Sequence, residues 1–165
     1  MKVAVLSDLH LGFGLNTELE NDSFDNAEEA IEKALDSDLI LLVGDIFDSR
    51  SPKTAVWAKA ISILTKVLQK KSNVRLVDAT RELSVAHNRL LDALPIVALH
   101  GNHDRRPKGE TNAVQALDKA GLLIYLDQQT VVFEKNGVKV AIHGMSSVAE
   151  RFAKSALLQW NPKPI

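Results

Sequence analysis

The chain has 165 residues, of which 45% are hydrophobic and 25% charged, with 20 basic against 21 acidic side chains. That length builds one domain with its own core, and the near balance of charge excludes a global pull toward nucleic acid, so any phosphate binding has to be local. The 0 Cys exclude a disulfide framework and thiolate metal sites; no apolar run approaches a membrane span, and the N-terminal one breaks at Ser7-Asp8, too soon for a signal peptide, which fits an intracellular protein.

Residues 2–7, with Val3, Val5 and Leu6, read as a first, buried strand. A loop holding Gly12 and Gly14 follows. Asp22 or Ser23 caps a helix to about residue 35, in which Phe24, Ala27, Ala30, Ile31 and Ala34 recur at helical spacing. Leu39–Val43 is a continuous apolar strand ended by Gly44-Asp45. Pro52 opens a helix to about residue 69. Residues 73–77 read as a strand, 78–93 as a helix and 95–99 as a third apolar strand ended by His100-Gly101-Asn102-His103-Asp104. A helix over 112–120 stops at Gly121. Residues 130–134 and 138–143 flank Asn136-Gly137, the strongest short hairpin signal. Residues 150–160 form the last helix. Apolar strands alternating with helices predict an α/β fold: a buried, largely parallel sheet flanked by helices, with one antiparallel hairpin added.

In such sheets the site lies beyond the carboxyl ends of the strands, and the strands over 2–7, 39–43 and 95–99 all end in metal-ligating residue types. Asp8 and His10, two apart in an extended segment, project to one side. Asp45 follows a glycine at the second exit, and Asn102 and His103 follow Gly101 at the third. Oxygen and imidazole donors without thiolate suit manganese, iron or zinc. Two such ions sharing one carboxylate can clamp a phosphate ester and activate a water between them.

Asp8-x-His10, Gly44-Asp45-x-x-Asp48 and Gly101-Asn102-His103-Asp104 resemble the first three motifs of the calcineurin-like metallophosphoesterases. The longer strings Ser7-Asp8-Leu9-His10-Leu11-Gly12, Val43-Gly44-Asp45-Ile46-Phe47-Asp48 and the text over 141–151 are similar to archaeal members of the meiotic recombination eleven family of double-strand-break repair nucleases. The resemblance implies a metallophosphoesterase-type sheet flanked by helices, an incomplete α/β/β/α sandwich. It implies two Mn²⁺ ions, or other divalent ions: Asp8 and His10 on one, Asn102 on the other, Asp45 bridging. His103 then faces the scissile phosphate as the catalytic group. Asp48 and Asp104 orient their neighbours or serve only as caps and turn formers. His143 falls outside the ligand set, His100 packs at its strand end, and His87 lies on a solvated helix face. Arg50, Arg105, Arg106 and Lys108 hold DNA phosphates beside the cut or form a solvated loop surface.

The family's fourth motif, His-Gln, and its fifth, Gly-His-x-His, do not occur in residues 1–165. The expectation is therefore the N-terminal part of the nuclease domain, with weak or absent metal binding and little activity of its own. By resemblance the lineage is a manganese-dependent DNA nuclease, acting as single-strand endonuclease and 3′-5′ double-strand exonuclease on chromosomal DNA inside the cell. A dimerisation or scaffold module and a small-molecule phosphodiesterase are the alternatives. The implied partners are DNA, a second copy and the coiled-coil ABC-type ATPase of the repair complex, with no membrane. The homodimer is expected on the 52–69 helix, whose apolar positions Ala55, Val56, Trp57, Ala58, Ala60, Ile61, Ile63, Leu64, Val67 and Leu68 exceed the stripe one sheet face needs, joined by the 112–120 helix.

Overall fold

The computed structural model describes residues 1–107 and 109–163. Two sheets pack face to face. The first is parallel, ordered β1 (Val3–Leu6), β2 (Leu39–Val43), β4 (Ile96–Leu99) and β5 (Ile124–Tyr125). Its register sets Val3 beside Leu39 and Ile40 beside Ile96. The second is antiparallel, ordered β3 (Arg75–Ala79), β6 (Gln129–Lys135) and β7 (Val138–Gly144). Leu39, Ile40, Leu42 and Ile96 join Val131 and Phe133 in one continuous buried core. The sheets approach closely at Gly144, where a Cβ would stand 2.8 Å from Leu99 Cδ2 and 2.5 Å from Leu126 Cβ.

Helices α1 (Asp22–Ala34) and α2 (Thr54–Leu64) pack on one another, α1 burying Phe24, Ala27 and Ile31 and α2 burying Val56, Ala60, Ile63 and Leu64. The shorter α3 (Asn88–Asp92) and α4 (Ala113–Lys119) bury Leu90, Val114 and Leu117, and α5 (Glu150–Trp160) buries none of its residues. Asn112 closes a capping box with Gln115 at the start of α4. Asn136 and Gly137 both take positive φ, 52° and 80°, as a two-residue hairpin turn requires.

Several expectations are corrected. The hairpin does not extend the parallel sheet. β3 runs on to Ala79 and pairs with β6, so the hairpin finds its partner there and a second sheet forms. The helix predicted over 78–93 shrinks to one 3₁₀ turn, Val85–His87, and the five residues of α3. The 52–69 helix is α-helical only from Thr54 to Leu64 and continues as a 3₁₀ turn, Thr65–Gln69. Neither Asp22 nor Ser23 caps α1; Asn21 stands at the cap, and Ser23 Oγ instead accepts the Gly12 N–H at 3.2 Å. β1 is not a buried strand: it is an edge of its sheet, and Val5 is 60% exposed. The short β5 carries no signal of its own beyond Ile124-Tyr125, which is why it escapes the periodicity.

Candidate metal centre

The exits of β1, β2 and β4 meet. Asp8 N–H donates to the Gly44 carbonyl, His10 N–H to that of Asp45 and Leu11 N–H to that of Ile46, so the first loop is laced onto the second. This lacing pulls Asp8 and His10 out of the extended conformation expected of them; their φ angles are 58° and 42°, and Asp45 has 48°. The two side chains converge all the same, His10 Nε2 lying 3.8 Å from Asp8 Oδ1. Non-glycine residues in the left-handed region cost free energy, and where several gather the surrounding structure holds them for a purpose. Asp, Asn and His are the types that adopt this region most readily, which is the one sequence signal that hints at it.

Asp104 holds the third exit. It is fully buried and accepts N–H groups from Ile46 (3.1 Å), Phe47 (2.8 Å) and Gly101 (3.0 Å). Burial pushes its carboxyl above the usual range, the three N–H bonds draw it partly back, and the negative charge of Asp45 adds to the rise. Gly101 is thereby set against Asp45: a Cβ at position 101 would stand 2.0 Å from Asp45 Oδ1 and 2.3 Å from its backbone nitrogen. That glycine leaves open the cradle a side chain would fill.

Two overlapping groups of donors result. Asp8, His10 and Asp45 have ligand atoms within 4.8 Å of one another, and so do His10, Asp48 and His103. All are imidazole or carboxylate donors, a set that fits a divalent ion of the manganese, iron or zinc kind. The second group differs from the sequence assignment, which gave neither Asp48 nor His103 to a metal. Asp48 Oδ1 lies 3.3 Å from His10 Nδ1, and its carbonyl accepts from His103 Nδ1 at 3.1 Å. The His10 and His103 rings meet edge to face at 4.8 Å. The His103 backbone N–H donates to Asp45 Oδ1 at 2.9 Å. Ser7 Oγ donates to Asp8 Oδ2. Asn102 is exposed on the turn between Gly101 and His103. An open cleft of about 700 Å³ lies over Asp8, His10, Asp48 and His103, walled by Phe13, Asp22 and Asn26, which the motifs do not reveal.

Elsewhere the histidines divide. His100 packs at its strand end as expected, buried and stacked 6.0 Å from Tyr125. His143 is exposed and bonds Thr130 Oγ1 through Nδ1 at 2.8 Å, outside both donor groups. His87 is not on a solvated face: it is buried between Ser84 and Asp118, because the helix that would have exposed it does not form. Arg50 is exposed, Arg105 and Arg106 are half-buried, and Lys108 falls outside the described residues.

The family model for calcineurin-like phosphoesterases matches residues 1–154, and the chain belongs to that family of metal-dependent phosphate-ester hydrolases. Among curated proteins it is similar to the double-strand break repair protein MRE11 of Encephalitozoon cuniculi, 28% identical over 167 residues, which cover 92% of this chain and 29% of that protein. The corresponding protein of Methanopyrus kandleri is 26% identical over 184 residues, 99% of this chain and 35% of the relative. The human MRE11 is 26% identical over 175 residues, 90% and 24%. The chain thus spans about a quarter to a third of the length of these relatives. Among the described residues no helix is long and apolar enough to cross a membrane.

Proposed function

We propose that the chain is part of a DNA double-strand-break repair nuclease that hydrolyses phosphodiester bonds with manganese, as single-strand endonuclease and 3′-5′ double-strand exonuclease, the donors of this chain alone giving weak metal binding and little activity. The observation that carries this reading is the meeting of Asp8, His10, Asp45, Asp48 and His103 at three strand exits. The repair role comes from the relatives' names, and with it the working place, chromosomal DNA inside the cell.

Asp8, His10 and Asp45 would hold one ion and Asn102 the other, Asp45 bridging. Bound divalent ions supply Lewis acidity and an acidified water. The chain's own groups do the rest. Asp48 and Asp104 position His10, His103 and the two loops. The Asp48 carbonyl only accepts, so the proton at His103 Nδ1 is fixed and Nε2 is the exchangeable position. From the wall of the cleft, His103 Nε2 protonates the departing oxygen. Three side-chain donors in each group fall short of the coordination such ions take, so tight two-ion binding needs more donors than these groups contain.

Incubating the chain with manganese and either circular single-stranded DNA or an end-labelled duplex tests the reading, with a nitrophenyl phosphodiester as control. Preference for DNA supports it; turnover of the small ester alone turns the site into that of a small-molecule phosphodiesterase.

A scaffold role has its own support. The outer positions of α2, Ala55, Ala58 and Ile61, stay exposed, and Ile61 at 40% is a large apolar side chain left in solvent. We read this strip as the self-contact of a homodimer, with α4 at its flank. The coiled-coil ABC-type ATPase of the repair complex is the further partner this reading implies.

A further inference from the structure

The segment 141–151 contributes no residue to either donor group, yet it is tied to the exit of β4. The Leu126 N–H donates to the Ala98 carbonyl at 2.9 Å, which continues the parallel ladder between β4 and β5. Bonds in a parallel pair are evenly spaced, so the next rung would run from the His100 N–H to the Leu126 carbonyl. It does not form. The His100 N–H donates instead to Ser146 Oγ at 3.2 Å, and Ser146 Oγ donates to the Leu126 carbonyl at 2.9 Å. One hydroxyl stands in the rung as a wedge. Serine fills that place with no polar atom left over, since its hydroxyl accepts on one side and donates on the other. Ser146 is 2% exposed, so water does not compete for these bonds.

The wedge is held from its own side. The Ser146 N–H donates to Asp127 Oδ1 at 3.3 Å, and Ser147 gives its N–H to the His100 carbonyl at 3.0 Å. The N–H and the carbonyl of His100 are thus both taken by residues 146 and 147. The consequence falls on the other flank of the strand. Kept off β5 by the width of a hydroxyl, the chain at Gly101 lies against the β2 exit, with no room for a Cβ between it and Asp45. The His103 N–H then reaches Asp45 Oδ1 at 2.9 Å, and His103 Nδ1 reaches the Asp48 carbonyl at 3.1 Å. The path from hydroxyl to imidazole is continuous: Ser146, His100, Gly101, Asp45, His103.

We propose that Ser146 is a positioning residue of the metal centre: its hydroxyl holds the His100–His103 turn on Asp45 and so presents the His103 ring to the cleft. Without the hydroxyl, the His100 N–H closes directly on the Leu126 carbonyl, Gly101 is drawn off Asp45, and the His103 ring slips from the Asp48 carbonyl. The proposal rests on the nuclease reading for what His103 then does, and Ser146 itself touches no reacting atom.

The His103 ring reports the effect. The Asp48 carbonyl only accepts, so it holds the neutral imidazole as the Nδ1–H tautomer. Nitrogen-15 shifts of the histidine-labelled chain give the tautomer with neither metal nor DNA, at about pH 8.5, well above the ordinary histidine pKa of about 6.5. The signal is assigned by its loss in His103→Gln. Ser146→Ala lowers the ratio of Nδ1–H to Nε2–H about three- to tenfold, the worth of one hydrogen bond. Ser146→Thr keeps the hydroxyl and the parent ratio. Ser146→Cys fills the same space with a weak donor and acceptor, so it gives an intermediate ratio and carries the test if the alanine variant does not fold. The His87 ring, held by Ser84 and Asp118 outside both donor groups, keeps its tautomer throughout. A parent ratio at His103 in the alanine and cysteine variants, whatever their thermal midpoints, overturns the proposal, because the serine then supports only the fold. A change at His87 as large as that at His103 overturns it as well, since the loosening is then general. No cleavage is read, so the nuclease reading fails separately: a chain that cleaves no DNA with manganese and still shows the shift keeps Ser146 in its role and loses that reading.

Discussion

The buried carboxylate of Asp104 receives the Phe47 amide at 2.8 Å and so fixes the exit of β4 against that of β2. With the Ile46 and Gly101 amides it satisfies three donors, two of them buried and that of Gly101 partly so. Asp104→Ala strands them, and buried donors without partners cost about 1–3 kcal/mol each. The expected loss is about 3 kcal/mol or more, seen as a thermal midpoint lowered by several degrees. Asp104→Asn keeps one acceptor oxygen and turns an NH₂ toward an amide, so it falls between. An alanine variant that melts with the parent would remove Asp104 as the organiser of the loops.

Gly101 has no room for a side chain. Gly101→Ala has to displace Asp45, because a β-carbon would overlap both its carboxylate and its backbone nitrogen. The variant is expected to lose manganese binding at least about tenfold, a change of roughly 1.4 kcal/mol, while far-ultraviolet circular dichroism keeps the parent shape. Free manganese counted by electron paramagnetic resonance decides it; unaltered affinity would mean that Asp45 does not serve the ion from this position.

The exits of β1, β2 and β4 are legible in the sequence because each is an uninterrupted apolar run ended by a residue that cannot continue it. The candidate site residues are legible in the same way, since Asp8, Asp45 and His103 follow within four residues of those ends. What the sequence hides is conformation and long-range bonding. The left-handed backbone of Asp8, His10 and Asp45 depends on amides from one loop meeting carbonyls of another. The second sheet depends on β3 reaching Ala79, and residues 78–93 hold enough apolar side chains at mixed spacing to imitate a helix. His87 is misplaced with that helix. Its burial needs Asp118, whose distance in sequence, 31 residues, no periodicity records.

His103 separates the two assignments of the site. It lies within reach of a metal beside His10 and Asp48, yet its Nδ1 is engaged by the Asp48 carbonyl. His103→Asn is expected to lower DNA cleavage about 10²–10⁴-fold, the usual worth of a proton-transfer group, in whatever form of the chain shows cleavage. Manganese stays bound, because Asp8, His10 and Asp45 remain. The same two measurements, turnover and ion count, give the opposite pattern if His103 is a ligand: the ion leaves with the side chain.

Ile61 tests the self-contact. It is 40% exposed on α2, while Val56, Ala60, Ile63 and Leu64 on the same helix serve the core. Ile61→Glu adds a charge on the outer strip and is expected to change the fold's stability by less than about 0.5 kcal/mol. In a two-fold contact the same patch meets itself, so one substitution places two charges in the interface. Light scattering is expected to fall from dimer to the 18.1 kDa monomer. A parent chain already monomeric at micromolar concentration would remove the strip as an interface.

Asp118 gives the pH dependence. Burial pushes its carboxyl up, but hydrogen bonds from His87 and from the Tyr125 N–H, together with the Arg81 charge, hold it below the ordinary range. The folded chain therefore binds this proton less tightly than the unfolded chain, whose carboxyl titrates near about 3.9. The stability it contributes is complete above that value and is lost as the pH falls through the lower, folded pKa. Asp118→Asn keeps one oxygen that can accept from His87, Arg81 and the Tyr125 N–H, but removes the negative charge and so leaves the partly buried Arg81 guanidinium without its counter-charge. Breaking such a pair costs roughly 3–5 kcal/mol, less here to the extent that Arg81 reaches solvent. Urea unfolding at pH 7 is expected to show that loss, and the gap between parent and variant is expected to narrow as the pH is lowered below 4, where the parent carboxylate takes up its proton. A gap that stays constant from pH 7 to pH 3 would place the stabilisation in packing rather than in the ionised carboxylate.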